Sequence, residues 1–330
     1  MLGKGCMMKY YLILDIGGTK TSGALFTQGG KIVDDYVHVA PSKTFLGEEA
    51  VYENTKDVLL HIIEHFSVKK EDILGIGVGS PGPLDAEKGI IIHAPLMGWH
   101  DFPIVERLTA DFGTKVMLDN DGNLGALAEV RMGVAKGLQN VLYMTVSTGC
   151  GGGIVVNGEV YRGSSCGAGE VGHMSIMPEG LKCPCGSVGC FELYASGTAI
   201  NNRLRDDFQK GIQSKVFDLA GHNVENLNGK LLNEAAILGD AYALEVYRKE
   251  GYYLGIGIAN QFNFFNPQTI VLGGGVTKAK QFFHGSLMET LKERCIQPID
   301  DGSVRYSVMN DRVVLYGAYC LIKEYTDKNY

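Results

Sequence analysis

The sequence predicts an α/β protein made of two domains. Apolar runs of strand length alternate with segments of helical periodicity along the whole chain. Twice a strand-like run is cut by glycines and then continues as another strand-like run: LDIGGTKTSGAL near the start and VSTGCGGGIVV near the middle. The 330 residues, 45% of them hydrophobic, exceed the usual size of one domain and supply a large core.

The elements follow in order. Tyr11 to Asp15 is an apolar run stopped by two glycines, as a buried strand should be. Strands Thr21–Phe26 and Lys31–Val39 flank the turn Gln28-Gly29-Gly30. Val51, Val58, Leu59, Ile62, Ile63 and Phe66 share one helical face. Strand Ile73–Val78 runs into the loop Ser80-Pro81-Gly82-Pro83. Helix Ile104–Phe112 precedes strand Lys115–Leu118, then Asp119-Asn120-Asp121 and a helix over Leu124–Arg131. The second half reads as strands Val141–Val146 and Ile154–Val156, then helices over Leu232–Gly239 and Ala241–Phe265. Strand Thr269–Leu272, Gly273-Gly274-Gly275 and a further helix follow, and a last helix covers Val313–Tyr325. No flexible linker is visible. A hinge near Asp119 divides the chain into residues 1–118, completed by the C-terminal helix 311–330, and residues 119–310.

The net charge of −7 argues against a nucleic-acid surface. No run approaches the ~18 apolar residues of a membrane helix, so no membrane partner is expected. The apolar stretch near the N-terminus is short and enters a strand-and-turn pattern directly, so no secretory signal is expected. Met1 to Met8 reads as a leader or an early start. The spacing Cys183-x-Cys185-x4-Cys190 indicates metal binding in a reducing cytoplasm. Cys6, Cys150, Cys166, Cys295 and Cys320 show no pairing pattern.

With His173 as a fourth ligand, these three cysteines complete a Cys3His set, which closes the coordination sphere and makes a zinc there structural. Zinc on one imidazole nitrogen of His173 leaves the other free for a hydrogen bond, with its tautomer fixed. Neither glycine turn opens a helix, and Gly18-Thr19-Lys20 lacks the Gly-Lys-Ser/Thr ending, so neither is a Rossmann fingerprint nor a P-loop. A pair of glycine hairpins suits a triphosphate, whose oxygens accept backbone N–H bonds where no side chain intervenes.

In this order the motifs resemble the ROK family of sugar kinases and sugar-sensing repressors, from Tyr11 to the C-terminal helix. Asp15-Ile-Gly-Gly-Thr-Lys20 and Ser147-Thr-Gly-Cys-Gly-Gly-Gly153 resemble its two phosphate motifs. Asp119-Asn-Asp-Gly-Asn123 resembles the segment with the catalytic aspartate. Glu170-Val-Gly-His173 with Cys183 to Cys190 resembles its zinc signature, and Leu272-Gly-Gly-Gly-Val276 sits where the family binds adenosine. The resemblance implies an actin-like (ribonuclease H-like) ATPase fold with two domains around a cleft. It also implies Asp121 as general base, with Asn120, Gly82, Glu170, His173 and Glu192 on the sugar. Asp15 would hold Mg2+ through water. Gly17, Gly18, Thr19, Lys20, Thr148, Gly149 and Gly151 would meet the ATP phosphates, and Gly273 and Gly274 the adenosine. Two departures stand out: Ser147 replaces a usual glycine, and His93-Ala-Pro-Leu-Met-Gly-Trp99 lacks an asparagine that many members carry.

The implied activity is phosphorylation of a hexose by ATP, glucose first, in a homodimer or homotetramer. YASGTAI after Glu192 is similar to glucokinase members. An N-acetylmannosamine or N-acetylglucosamine kinase is the same-class alternative. A sugar-sensing repressor needs a helix-turn-helix ahead of the sugar domain, and only ten residues precede the first strand. A non-enzymatic scaffold would leave the zinc and both glutamates unexplained.

Overall fold

A computed structural model of the chain describes residues 8–94 and 97–329. Cys6, nearly all of the Met1–Met8 segment, and Pro95-Leu96 of the His93–Trp99 segment lie outside the described residues. The chain forms two compact units: residues 1–137, 159–168 and 311–330, and residues 138–158 and 169–310.

The first unit begins with β1 (Tyr10–Ile16), β2 (Lys20–Thr27), β3 (Ile32–Pro41) and α1 (Glu48–His65). There follow β4 (Ile73–Ser80), a small sheet of β5 (Leu84–Asp85), β6 (Ile90–Ala94) and β7 (Trp99–Phe102), then α2 (Ile104–Phe112), β8 (Val116–Asn120) and α3 (Asp121–Arg131). Its main sheet has the order β3-β2-β1-β4-β8. The β1-β2-β3 meander is antiparallel, and β4 and β8 extend it in parallel.

Alternation along β1 feeds two cores. Leu12, Leu14 and Ile16 pack with Val58 and Ile62 of α1 on one face. Tyr11 and Ile13 pack with Leu124 and Leu127 of α3 on the other. A strand covered on both faces reads as a continuous apolar run, which is why β1 was visible in the sequence.

The chain then makes β9 (Val141–Val146) and β10 (Cys150–Val156) in the second unit. It returns to the first with β11 (Glu159–Val160), which lies against α3. The rest of the second unit is α4 (Gly197–Gln209), α5 (Lys215–Leu219), α6 (Gly229–Ile237), α7 (Ala241–Phe265), β12 (Thr269–Gly273), α8 (Lys280–Arg294) and β13 (Val304–Tyr306). β10 and β9 are antiparallel, and β12 and β13 run parallel to β9, repeating the logic of the first unit. Finally α9 (Val313–Asn329) completes the first unit.

Two expectations need correction. The division falls after Gly137, not after residue 118, because the buried face of α3 packs on Leu315, Ala318 and Ile322 of α9. Residues 159–168, expected in the large domain, belong to the first unit for the same reason, through β11 and α3. The helix after Asp119 also starts earlier than expected, at Asp121 rather than Leu124, with Asn120 as its N-cap. Close docking of α9 rests on β4. A Cβ on Gly77 would stand 2.2 Å from the Ala318 carbonyl oxygen, so only glycine lets the helix lie that near the sheet.

Candidate active site

The parallel register gathers one group of candidate residues in the first unit. Asp15 on β1 pairs with Gly79 on β4, which pairs with Asp119 on β8, and Ser80 pairs with Asn120. Asp15, Asn120 and Asp121 therefore gather at the carboxyl ends of neighbouring strands, the usual ligand-binding edge of parallel α/β sheets. Asp15 keeps some surface open but is crowded by protein. Burial, then the charge of Asp121, push its carboxyl up to about 7, with Lys20 opposing. The two carboxylates are thus near enough to sense one another.

The β1-β2 turn is braced from inside. Gly17 N–H donates to Lys20 O at 2.9 Å, Ser42 N–H to Thr19 O at 3.0 Å, and Ser42 Oγ to Gly17 O at 2.6 Å. Thr19 and Lys20 are exposed and Gly18 is half-buried, so the turn presents its tip outward.

At the start of α3, Asn120 Oδ1 accepts from Gly122 N–H at 2.8 Å, a regular N-cap, and Asp121 Oδ1 accepts from the same N–H at 2.8 Å. Gly82 stands beside this turn: a Cβ there would lie 3.3 Å from Asn120 Nδ2. Behind it, the buried Asp119 carboxylate accepts four hydrogen bonds. Oδ1 takes Asn120 N–H at 2.8 Å and Asn123 Nδ2 at 2.9 Å, while Oδ2 takes Arg162 Nε at 2.9 Å and Nη2 at 2.6 Å. Sequence reasoning missed Arg162; its only signal was an arginine beside Gly163 in a polar loop.

The other unit holds a separate group of candidate residues. The β9-β10 turn is held by Ser147 N–H to Gly149 O at 2.9 Å, and Gly197 N–H reaches Ser147 O at 2.7 Å. Ser147 thus contributes backbone groups here, so a serine at this position keeps the turn. Ser147, Thr148, Asn201, Lys230, Gly275 and Val276 help line a cavity of about 620 Å3, ample for a nucleoside. Gly273 and Gly274 stand behind its wall, against Tyr143 and Val146, and Gly151 sits in the β10 ladder opposite Thr145.

Next to this turn is the cysteine cluster. The donor atoms of His173, Cys183, Cys185 and Cys190 all lie within 4.8 Å of one another. Cys185 and Cys190 sulfurs are 3.6 Å apart, and Cys183 Sγ is 3.8 Å from His173 Nδ1. A tetrahedron with Zn–S bonds of about 2.3 Å has edges of about 3.8 Å, so the donor set fits zinc. Burial pushes the Cys183 thiol up to about 12 and raises Cys190, while the Ser187 backbone lowers Cys185. A dication relieves that crowding, because metal-bound thiols are deprotonated outright.

Nδ1 of His173 faces the sulfurs, which leaves Nε2 for another partner. Glu192 Oε1 is 3.5 Å from His173 Nδ1, and a Cβ on Gly149 would lie 2.8 Å from Glu192 Oε2. Glu192 therefore touches both the cluster and the β9-β10 turn. Glu170 and His173 flank one 3-10 turn, both exposed, closed by His173 N–H to Glu170 O at 3.1 Å. The Phe191 ring, fully buried between Cys190 and Glu192 in the chain, packs against α7 at Gly257. No helix among the described residues is long and apolar enough to cross a membrane.

Comparison with known proteins adds four likenesses. A model of the ROK family matches residues 11–325. The glucokinase of Halalkalibacterium halodurans is 35% identical over 319 residues, 96% of each chain. The xylose repressor of Bacillus subtilis is 32% identical over 86% of this chain and 69% of its own. Among solved structures, a ROK family glucokinase from Streptomyces griseus in complex with glucose and AMPPNP superposes with a TM-score of 0.80. It is 27% identical, over 94% of this chain and 97% of that one.

Proposed function

The chain belongs to the ROK family and has its actin-like ATPase fold, and on that premise we propose that it transfers the γ-phosphoryl group of ATP to a hexose, glucose first. The observation that carries the reading is the strand-end array in the first unit, where Asp121 opens α3 within electrostatic reach of Asp15. Phosphoryl transfer to an alcohol needs a proton acceptor at the nucleophile and positive help for the phosphates. Asp121 takes the hydroxyl proton as the sugar oxygen attacks the γ-phosphorus and the bond to ADP breaks. Asn120 and Gly82 orient the sugar at the base. Asp15 would hold the Mg2+ that accompanies ATP, and that ion would neutralise phosphate charge.

The glycine turns at Gly17–Lys20 and Thr148–Gly151 receive phosphate oxygens, and the cavity walled by Gly275 and Val276, with Gly273 and Gly274 behind, receives the nucleoside. Glu170, Glu192 and Nε2 of His173 bind sugar hydroxyls, for which carboxylates are strong acceptors. His173, Cys183, Cys185 and Cys190 would hold a zinc whose closed shell supplies rigidity and no reactive position. A cytoplasmic homodimer or homotetramer is the expected form.

The test is ADP release with ATP and a panel of hexoses, N-acetylmannosamine and N-acetylglucosamine included. Glucose should be the best acceptor. Turnover only with an N-acetylhexosamine would reassign the substrate. Sugar binding without ADP release would favour the second reading, a non-catalytic sugar sensor, which the likeness to the xylose repressor supports.

A further inference from the structure

We infer that Arg162 is a positioning residue for the transfer step, acting on Asn120 and Asp121 through Asp119. The inference rests on the proposed reaction, and its own content lies in one buried carboxylate. Asp119 is only 1% exposed, and a carboxylate that deep is costly unless paired and hydrogen-bonded. Arg162 supplies both charge and geometry: Nε and Nη2 form a fork on Oδ2. That leaves Oδ1 committed to the Asn120 N–H and the Asn123 amide. These two bonds fix the first turn of α3, where Asn120 is the N-cap and Asp121 is the next residue.

The source of Arg162 matters. It comes from residues 159–168, the excursion that leaves the second unit, places β11 against α3 and returns to Gly169. The same excursion leads straight into Glu170 and His173, the proposed sugar ligands. The arginine is therefore carried by the segment that ends in the sugar-binding turn, and its fork closes on the segment that holds the base.

One face of Arg162 also lines a cavity of about 360 Å3 together with Lys115, Met117, Leu321 and Tyr325. Removing the side chain would join its space to an existing opening. A free guanidinium ion can enter such a space and restore the fork, which an ammonium cannot reproduce.

The experiment measures kcat and KM for glucose and ATP in wild type, Arg162→Lys, Arg162→Gln and Arg162→Ala. Folded fraction is followed by circular dichroism, and Arg162→Ala is repeated with millimolar guanidinium chloride. Displacing a reacting group by about 1 Å costs roughly 100-fold. Arg162→Gln should lower kcat by that order with both KM values within about threefold, since Glu170, His173, Glu192 and the nucleoside cavity, which carry most of the proposed binding, lie in the other unit. Arg162→Lys should fall between, and guanidinium should raise kcat of Arg162→Ala at least fivefold. Wild-type kcat in the folded variants overturns the inference. So does a loss that tracks the unfolded fraction and does not respond to guanidinium, because the arginine would then only support the fold. Absence of turnover in the wild type refutes the proposed reaction instead, and is thereby distinguished.

Discussion

Gly257→Ala should weaken sugar binding far more than it weakens the fold. A Cβ at this position would stand 2.5, 2.6 and 2.8 Å from three carbons of the Phe191 ring. Carbon atoms pack best at about 3.5–4.0 Å, so the ring must retreat by about 1 Å. It has no free direction, being fully buried in the core of the second unit. Overpacking of this kind costs about 1–3 kcal/mol, against about 1 kcal/mol gained by replacing glycine inside a helix. The net loss of stability should be at most about 2 kcal/mol. Phe191, however, is bonded to Cys190 and Glu192, so the movement passes to the carboxylate proposed to hold the sugar. Glucose affinity by calorimetry should fall at least tenfold, with melting temperature measured beside it. A raised melting temperature together with wild-type affinity would refute the reasoning, since it would mean that the ring yields without moving Glu192.

Further outcomes separate chemistry, metal and charge. Asp121→Asn should lower kcat by ~10²–10⁴ with sugar affinity little changed, whereas Glu170→Gln should weaken binding more than the chemical step; single-turnover ATP transfer beside calorimetry decides. Purified protein should contain one zinc per chain, and its chelation should abolish sugar binding before far-ultraviolet circular dichroism changes; active protein free of zinc would sink that assignment. Glu250 on α7 is fully buried, neither carboxylate oxygen has a hydrogen-bond partner among the described residues, and burial pushes its carboxyl up to about 8 against the weaker pull of Arg203. The folded state then holds a proton that the unfolded chain has lost, so this group makes stability fall as pH rises from about 4.5 to 8. Glu250→Gln should remove that slope and gain up to roughly 4 kcal/mol at pH 8; denaturant titrations of both proteins at pH 5 and 8 should show it, and parallel slopes would contradict it.

What could be read from the sequence was local. The Cys3His cluster is legible because its spacing is short and its chemistry specific, and β1 because both its faces are buried. Asp121 was singled out through its neighbours and placed between a strand and a helix, but the helix was read from Leu124: glycine and asparagine at 122 and 123 conceal the first turn that an N-cap at Asn120 allows to start. The division between units was misplaced because the apolar face of α3 looks the same whichever partner covers it. The strands β5 to β7 were too short to show a period. Ser196 and Ser214 cap α4 and α5, accepting from Ala199 N–H and Val216 N–H, yet the polar composition of α4 and the five-residue length of α5 hid them. Arg162 pairs with a carboxylate far away in sequence, and such a pair leaves no local trace. Gly77 was equally silent, because its reason is the backbone of α9.

The helix α9 has a consequence for how the chain is made. One face of the first unit, with Tyr11, Ile13, Phe26, Leu124 and Leu127, packs against Leu315, Ala318, Tyr319 and Ile322. The ribosome delivers the former early and the latter last among the described elements. The segment between Gly137 and Asp311 takes about 10–35 s to synthesise at about 5–20 residues per second. Throughout that interval the nascent chain carries an apolar sheet face that α3 covers only in part, while all of the second unit emerges and can fold. Emergence of α9, after the whole second unit, completes the domain that holds Asp121. A nascent chain stalled before residue 311 should therefore bind chaperones through the segment that ends at Gly137.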